Sequence, residues 1–80
     1  MLAAESYILE NLNNNELISN IRQLMHLRRL NETELARQAG IPQPTLHRLL
    51  AGNTSDPRIS TLHQLTNFFQ ITLDDLYAPN

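Results

Sequence analysis

Apolar residues recur at intervals of three and four along most of the chain, which is the spacing of one face of an α-helix. The pattern predicts an all-α, five-helix domain over residues 16–80, preceded by a short N-terminal extension over residues 1–15. Ser60 and Thr72 are predicted as the N-caps of the last two helices. The apolar positions are, helix by helix, Leu17, Ile21, Leu24 and Met25; Leu35, Ala36 and Ala39; Leu46, Leu49 and Leu50; Leu62, Leu65, Phe68 and Phe69; and Leu73, Leu76 and Tyr77.

The second and third helices have clear start and stop signals. Asn31 followed by Glu34 fits a capping box, and Gly40 stands where a helix can end in the left-handed conformation. Pro42 and Pro44 fit the start of the next helix, where a missing N–H has no consequence. Two short helices joined by a tight turn form the helix-turn-helix plan, in which the second helix enters the DNA major groove.

The third helix has two chemically different faces. Its leucines lie together on one side, and the opposite side carries Gln43, Pro44, His47, Arg48 and Ala51, which are small or hydrogen-bonding. Gln pairs with adenine through two hydrogen bonds, and Arg pairs in the same way with guanine. The outer face therefore has the chemistry needed to read base edges.

Positive charge is concentrated in the segment that contains this motif. The chain has a net charge of −2, but residues 17–59 carry six Arg against three acidic residues, or +3. Residues 1–16 carry −3 and residues 60–80 carry −2. All six basic residues are Arg, which favours two-pronged contacts to phosphate or guanine. The small excess predicts moderate DNA affinity per subunit and a dependence on dimerisation.

Other kinds of chemistry have little support in the sequence. The 80 residues contain no Cys, which excludes a disulfide framework and a Cys-based zinc site. The chain has neither an apolar run of about 20 residues nor a basic signal-peptide start, so we expect a cytoplasmic, nucleoid-associated protein with no membrane partner. His26, His47 and His63 stand on three different predicted helices, without metal-ligand spacing. We expect no enzymatic activity, no metal and no cofactor.

A set of short motifs carries a resemblance to a known family. ELA at 34–36, Gly40–Ile41, TLHRLLAG at 45–52, Pro57 and LDDLY at 73–77 follow one another at the family's spacings. The chain from Leu17 to Tyr77 thus resembles the Cro and lambda-repressor type of helix-turn-helix domain, the XRE family. The resemblance implies a transcriptional repressor that binds double-stranded DNA as a homodimer on a palindromic operator. It extends to small HipB-like antitoxins, which autoregulate toxin–antitoxin operons and bind a toxin protein.

The resemblance also implies roles for individual residues. The positions that match base-contacting positions of the family are Gln43, Pro44, His47 and Arg48. The positions that match phosphate-contacting ones are Asn31, Thr45, Asn53, Thr54, Ser55 and Arg58.

The chain departs from the family pattern at several positions. Glu32 stands where the family often has a Gln that faces phosphate, so its carboxylate would repel the DNA backbone. Met25 and Leu50 stand where many members have a buried Arg–Glu pair, and we interpret them as an apolar replacement. Gln70 stands where the family usually has Gly, which predicts a positive φ at that residue.

Two other interpretations stay open at the level of sequence. In the first, the chain is a protein-interaction module that mainly binds a toxin or another partner, with weak or no DNA binding. The N-terminal extension, which is either a tail or an arm packed on a partner, and the small basic excess favour this alternative. In the second, the fold is kept without DNA binding, and Glu32 favours that alternative.

Overall fold

The computed structural model describes residues 14–53 and 56–79, which form helices joined by short connections and contain no strand. The elements are α1 (Asn14–Leu27), α2 (Glu32–Ala39), α3 (Gln43–Leu50), α4 (Ile59–Phe69) and α5 (Leu73–Tyr77). The predicted all-α, five-helix architecture is confirmed. The N-terminal extension lies outside the described residues, apart from its last two positions, and so do Thr54 and Ser55.

One apolar core joins the five helices. The stripe predicted for each helix faces this core, and residues at less than 7% exposure come from every helix and from the turn between α2 and α3. Met25 and Leu50 are both buried in it, which fits the interpretation of this pair as an apolar replacement for an ion pair. The buried apolar residues are Leu17, Ile21, Met25, Leu35, Ala36, Ile41, Leu46, Leu49, Leu50, Leu62, Leu65, Phe69 and Leu76.

Most helix ends follow the sequence signals. The side chain of Asn31 accepts a hydrogen bond from the Glu34 N–H at 2.8 Å, and the Glu34 carboxylate accepts one from the Asn31 N–H at 3.0 Å. Thr72 forms a second capping box, with Asp75. Gly40 ends α2 with φ 75°, and Gln70 ends α4 with φ 58°. The predicted positive φ of Gln70 is therefore confirmed, although an L side chain adopts it less readily than glycine does.

The start of α4 differs from the prediction. α4 begins at Ile59, with Arg58 as its N-cap, so the prediction of Ser60 as the cap is wrong. The backbone of Arg58 is extended after Pro57, and its carbonyl accepts the first hydrogen bond of the helix, from the Leu62 N–H at 3.1 Å. Ser60 consequently lies in the first turn. α1 ends at Leu27, and the chain leaves it through Arg29 at φ 56°.

Side-chain to backbone hydrogen bonds fix the helices relative to one another. The buried amide of Asn20 on α1 donates to the carbonyl oxygens of Leu76 and Ala78, both at 2.8 Å, and ties α1 to the end of α5. Gln64 on α4 donates to the carbonyl of Gly40 at 2.7 Å. This bond holds the turn between α2 and α3 against α4. No helix in the described part of the chain is long and apolar enough to span a membrane.

Candidate nucleic-acid interface

The two faces of α3 separate as the sequence predicts. Leu46, Leu49 and Leu50 are buried against the rest of the domain, and Ile41 in the preceding turn is 4% exposed. The outer side chains are exposed, namely Gln43, Pro44, His47 and Arg48. The packing of the leucines therefore holds a polar helical face outward, where it is accessible to a ligand as large as DNA.

The N-terminus of α3 is not capped by a side chain. Pro42 is the N-cap residue, and its carbonyl accepts hydrogen bonds from the Thr45 and Leu46 N–H groups at 3.0 and 3.1 Å. Pro44 has no N–H to satisfy, and the Gln43 N–H lies ahead of the first intrahelical bond. This end of α3 is thus compatible with an anionic group such as a phosphate.

Two hydrogen bonds connect the outer face of α3 to the first turn of α2. Gln43 Nε2 donates to Thr33 Oγ1 at 3.0 Å, and His47 Nδ1 lies 3.0 Å from Glu32 Oε2. The His47 side chain is 66% exposed and that of Glu32 is 28% exposed. Glu32, which departs from the family pattern, thus forms a hydrogen-bonded contact with His47 on the outer face of α3. Nothing in the sequence connects these residues, because they belong to different helices.

Arg48 and Arg58 lie at the same cleft. This cleft, of about 520 Å³, is located between α3 and the start of α4, and Thr45 and Asp56 also line it. Neither guanidinium makes a hydrogen bond or an ion pair with any residue that the structure describes. The structure therefore places one residue predicted to contact bases beside two predicted to contact phosphates, with both cations unpaired within residues 14–53 and 56–79.

The other predicted phosphate contacts are distributed around this face. Asn31 is exposed at the start of α2, and its side-chain oxygen is already engaged in the capping box. Asn53 is exposed after α3, and its N–H donates to the Arg48 carbonyl at 3.0 Å. Thr54 and Ser55 follow it directly and lie outside the described residues.

Two other arginines have structural partners. Arg22 on α1 donates to the Leu50 carbonyl at the end of α3, at 3.1 Å. Arg28 donates to the carbonyls of Phe68 and Phe69, at 3.3 and 3.0 Å, and its guanidinium lies 5.6 and 5.1 Å from the centres of the two rings. Both arginines are exposed, but each satisfies carbonyl groups at the C-terminus of another helix.

Thr33 is the residue of this surface that sequence reasoning missed. Its hydroxyl holds the Gln43 amide, and a Thr in the first turn of a helix gives no sequence signal for such a contact. The described residues contain no group of three or more His, Cys, Asp or Glu side chains placed to hold a metal ion.

Comparisons with known proteins agree with this geometry. Residues 20–80 match the family model described as the Cro/C1-type HTH DNA-binding domain. The chain is 37% identical over 60 residues to a protein of Coxiella burnetii (strain RSA 493 / Nine Mile phase I) named as an uncharacterized HTH-type transcriptional regulator. The aligned part is 75% of this chain and 28% of that relative. No solved structure matches the chain with significant similarity. The chain belongs to the Cro/C1-type helix-turn-helix family of DNA-binding domains.

Proposed function

We propose that this chain is a sequence-specific transcriptional repressor that inserts α3 into the major groove of double-stranded DNA. The observation that carries the proposal is the unpaired guanidinium of Arg48 on an exposed helical face that also presents Gln43 and His47. Side chains of this kind, held by a rigid helix, can form hydrogen bonds to base edges. Such a repressor would act by occupying a promoter and excluding the polymerase.

Each outer residue of α3 has a distinct role in this proposal. Arg48 binds guanine through O6 and N7, and Pro44 packs on a thymine methyl group. Gln43 pairs with adenine or with a nearby phosphate. Its bond to Thr33 holds the amide in one position, which lowers the entropy lost when the complex forms. His47 contacts a base edge through the ring nitrogen that Glu32 does not engage.

The phosphate contacts would fix the register of α3 in the groove. Arg58 and Thr45 reach the backbone from the cleft between α3 and α4. Asn31 contributes its amide N–H₂, because its oxygen is used for capping. The proposal also includes Asn53, Thr54 and Ser55, which lie in the connection that follows α3.

We further propose that the repressor is a homodimer on a palindromic operator. An apolar groove of about 970 Å³ extends along the start of α4 and the exposed side of α5, and Ile59, Leu73 and Tyr77 line it. Ile59 is 58% exposed and adds a large aliphatic side chain to this groove. A second copy on this surface would bring two α3 helices to the same side of the DNA, with half-sites about one helical turn apart.

A role as the autoregulating antitoxin of a toxin–antitoxin operon is a finer form of the same proposal.

The alternative, a module that mainly binds a toxin or another protein, is favoured by a different surface. The outward side of α1 forms an apolar groove of about 780 Å³ that includes Ile18 and Leu27, and Leu27 is 77% exposed. Large exposed apolar side chains often mark protein-binding surfaces.

A DNA titration at two salt concentrations tests the main proposal. The purified chain is titrated with a duplex from the region upstream of its own gene and with a scrambled duplex of equal composition. We expect tighter binding to the upstream duplex, and weaker binding to both at the higher salt, since counterion release drives phosphate contacts. Equal affinity for the two duplexes would overturn the proposal and favour the protein-binding alternative.

The dimer proposal has its own test. Replacing Ile59 with Asp puts a charge in the apolar groove, so we expect sedimentation to show a shift from dimer to monomer. Leu27→Asp, which charges the groove on α1 instead, is the matched control and should leave the dimer intact. Dissociation of the control but not of Ile59→Asp would place the interface on α1.

A further inference from the structure

The contact between Glu32 and His47 lies on the face of α3 that the proposed function assigns to DNA. His47 Nδ1 and Glu32 Oε2 are 3.0 Å apart, and the two residues come from different helices. Glu32 occupies the first position of α2, where a carboxylate is also favoured by the helix dipole. The helix dipole of α2 therefore favours the ionised carboxylate at this position. The Glu32 side chain is also less exposed than that of His47.

The chemistry of the acceptor determines where the imidazole hydrogen lies. An ionised carboxylate can only accept, so the hydrogen of this bond belongs to His47 Nδ1. A neutral imidazole has one N–H, which leaves Nε2 with a lone pair. No residue that the structure describes is hydrogen-bonded to Nε2. On the exposed surface of α3, His47 therefore presents a hydrogen-bond acceptor.

We propose that Glu32 is a positioning residue that sets the base preference of α3 by fixing the orientation and the tautomer of His47. The inference rests on the proposed function, in which α3 lies in the major groove. An acceptor at Nε2 pairs with the exocyclic amino group of cytosine or adenine. It is repelled by the acceptors that guanine and thymine present at the same place, namely O6 and O4. The pair therefore discriminates between cytosine or adenine and guanine or thymine at one position of the operator.

A glutamine at position 32 would not do the same. Its amide contains both an acceptor and a donor, so it can accept from Nδ1 or donate to it. Donation to Nδ1 moves the imidazole hydrogen to Nε2, and His47 then donates to guanine instead. Glu32→Gln also removes a negative charge that would face phosphates, which strengthens binding to every duplex alike. Only the tautomer effect changes the ratio of affinities between duplexes.

The test is a double-mutant cycle in which the measured quantity is the ratio of affinities for duplexes that differ at one base pair. The wild-type chain, Glu32→Gln, His47→Ala and the double variant are titrated with the operator half-site, each position of which is changed in turn to all four base pairs. All four proteins are titrated at one pH above neutrality. Glu16→Gln is the matched control, because it removes the same charge from the first turn of α1 rather than from α2.

We expect the wild-type chain to prefer cytosine or adenine by about fivefold at one position, the effect of a single good base contact. Glu32→Gln should reduce this ratio to about one or shift it toward guanine, and raise the affinity for all duplexes. In the His47→Ala background, Glu32→Gln should raise affinity without changing any ratio. Glu16→Gln should keep the wild-type ratio.

Nitrogen-15 NMR of the free protein measures the tautomer directly. We expect the hydrogen on Nδ1 of His47 in the wild-type chain and a mixture of tautomers in Glu32→Gln, with His26 and His63 as internal references. A wild-type His47 with its hydrogen on Nε2 would overturn the inference. Sequence-specific binding with unchanged base ratios in Glu32→Gln would also overturn it, and would leave the proposed function intact. Equal wild-type affinity for operator and scrambled duplexes would overturn both.

Discussion

The arginines at and directly after α1 and those beside α3 have different environments in the same small domain. Arg22 on α1 donates to a C-terminal carbonyl of α3, and Arg28, which directly follows α1, donates to the C-terminal carbonyls of α4 and lies over two aromatic rings. Arg48 and Arg58, at the cleft next to α3, have no partner among the residues that the structure describes. Both sets consist of exposed side chains on the surface, so exposure alone does not distinguish them.

The difference shows that formal charge overstates the basic surface available to DNA. Guanidinium groups at a helix C-terminus compensate for unsatisfied carbonyls and for the negative end of the helix dipole. Arg22 and Arg28 therefore contribute to folding, although they remain positively charged. For the affinity of an acidic chain such as this one, the placement of the two unpaired arginines beside α3 matters more than the total of six.

The largest effect on DNA binding is expected when Arg48 is replaced with Ala. Because this change would remove the proposed two-pronged contact to guanine, specific binding should weaken by about 1–3 kcal/mol, and discrimination should be lost at one base pair. The midpoint of urea unfolding should stay close to that of the wild-type chain, since the Arg48 side chain makes no hydrogen bond or ion pair with a described residue. The measurement is a titration of operator and scrambled duplexes at one salt concentration.

Arg37→Ala is the charge-matched control for this change. Arg37 is an exposed residue in the last turn of α2 and has no hydrogen bond or ion pair with a described residue. The Arg37→Ala variant should bind operator and scrambled duplexes more weakly by the same small factor. If Arg48→Ala did no more than this control, the assignment of Arg48 to a base would be wrong.

The reverse outcome is expected for Arg28→Ala. This variant loses the bonds to the Phe68 and Phe69 carbonyls and an exposed cation–π contact, so the free energy of unfolding should fall by about 1 kcal/mol. Well below the melting temperature, the ratio of operator to scrambled affinity should not change. Urea denaturation followed by circular dichroism gives the stability. Loss of base discrimination in this variant would contradict the division of the arginines into two sets.

A smaller and more uniform effect is expected for Arg58→Ala. A phosphate contact contributes to binding on any sequence, so affinity should fall alike for operator and scrambled duplexes. The slope of log K against log salt should decrease in magnitude by about 1. Titrations at three or more salt concentrations measure the slope. An unchanged slope would show that Arg58 does not neutralise a phosphate.

The smallest effect is expected on stability at high pH and concerns Tyr77, which lines the groove along α4 and α5. Burial raises the pKa of the Tyr77 phenol above its ordinary value, and the nearby charge of Asp56 raises it further. The folded state therefore holds this proton more tightly than the unfolded state does. Its contribution to stability is complete below about pH 10 and is lost as the pH rises through the raised pKa. Tyr77→Phe should lose less stability than the wild-type chain between neutral and strongly alkaline pH, as measured by urea unfolding.

Local signals in the sequence were sufficient for most of the fold. The capping box at Asn31 and the left-handed Gly40 depend on a few neighbouring residues, and both are found as predicted. The positive φ of Gln70 was implied by the family resemblance instead. Ser60 fails as a cap because a Ser before an apolar run suits either an N-cap or a first turn. The backbone is extended at Arg58, directly after Pro57, so the helix begins at Ile59 and Ser60 lies in its first turn.

The contacts between helices could not be predicted in the same way. The outer face of α3 follows from helical periodicity, but the bonds from Gln43 to Thr33 and from His47 to Glu32 depend on how α2 and α3 pack. That packing is set by the whole core. The roles of the individual residues in DNA binding remain predictions, which the variants above test.

The bonds of the Asn20 amide have a consequence for the order in which the domain folds. Its two acceptors lie 56 and 58 residues further along the chain, so a buried polar group of α1 is hydrogen-bonded only when the end of α5 is in place. During synthesis from the N-terminus, α1 to α4 can gather around their apolar faces, but this buried amide lacks its partners until Ala78 is available. We therefore expect a nascent chain that ends before Leu76 to remain open to proteases, and closure to occur late in translation.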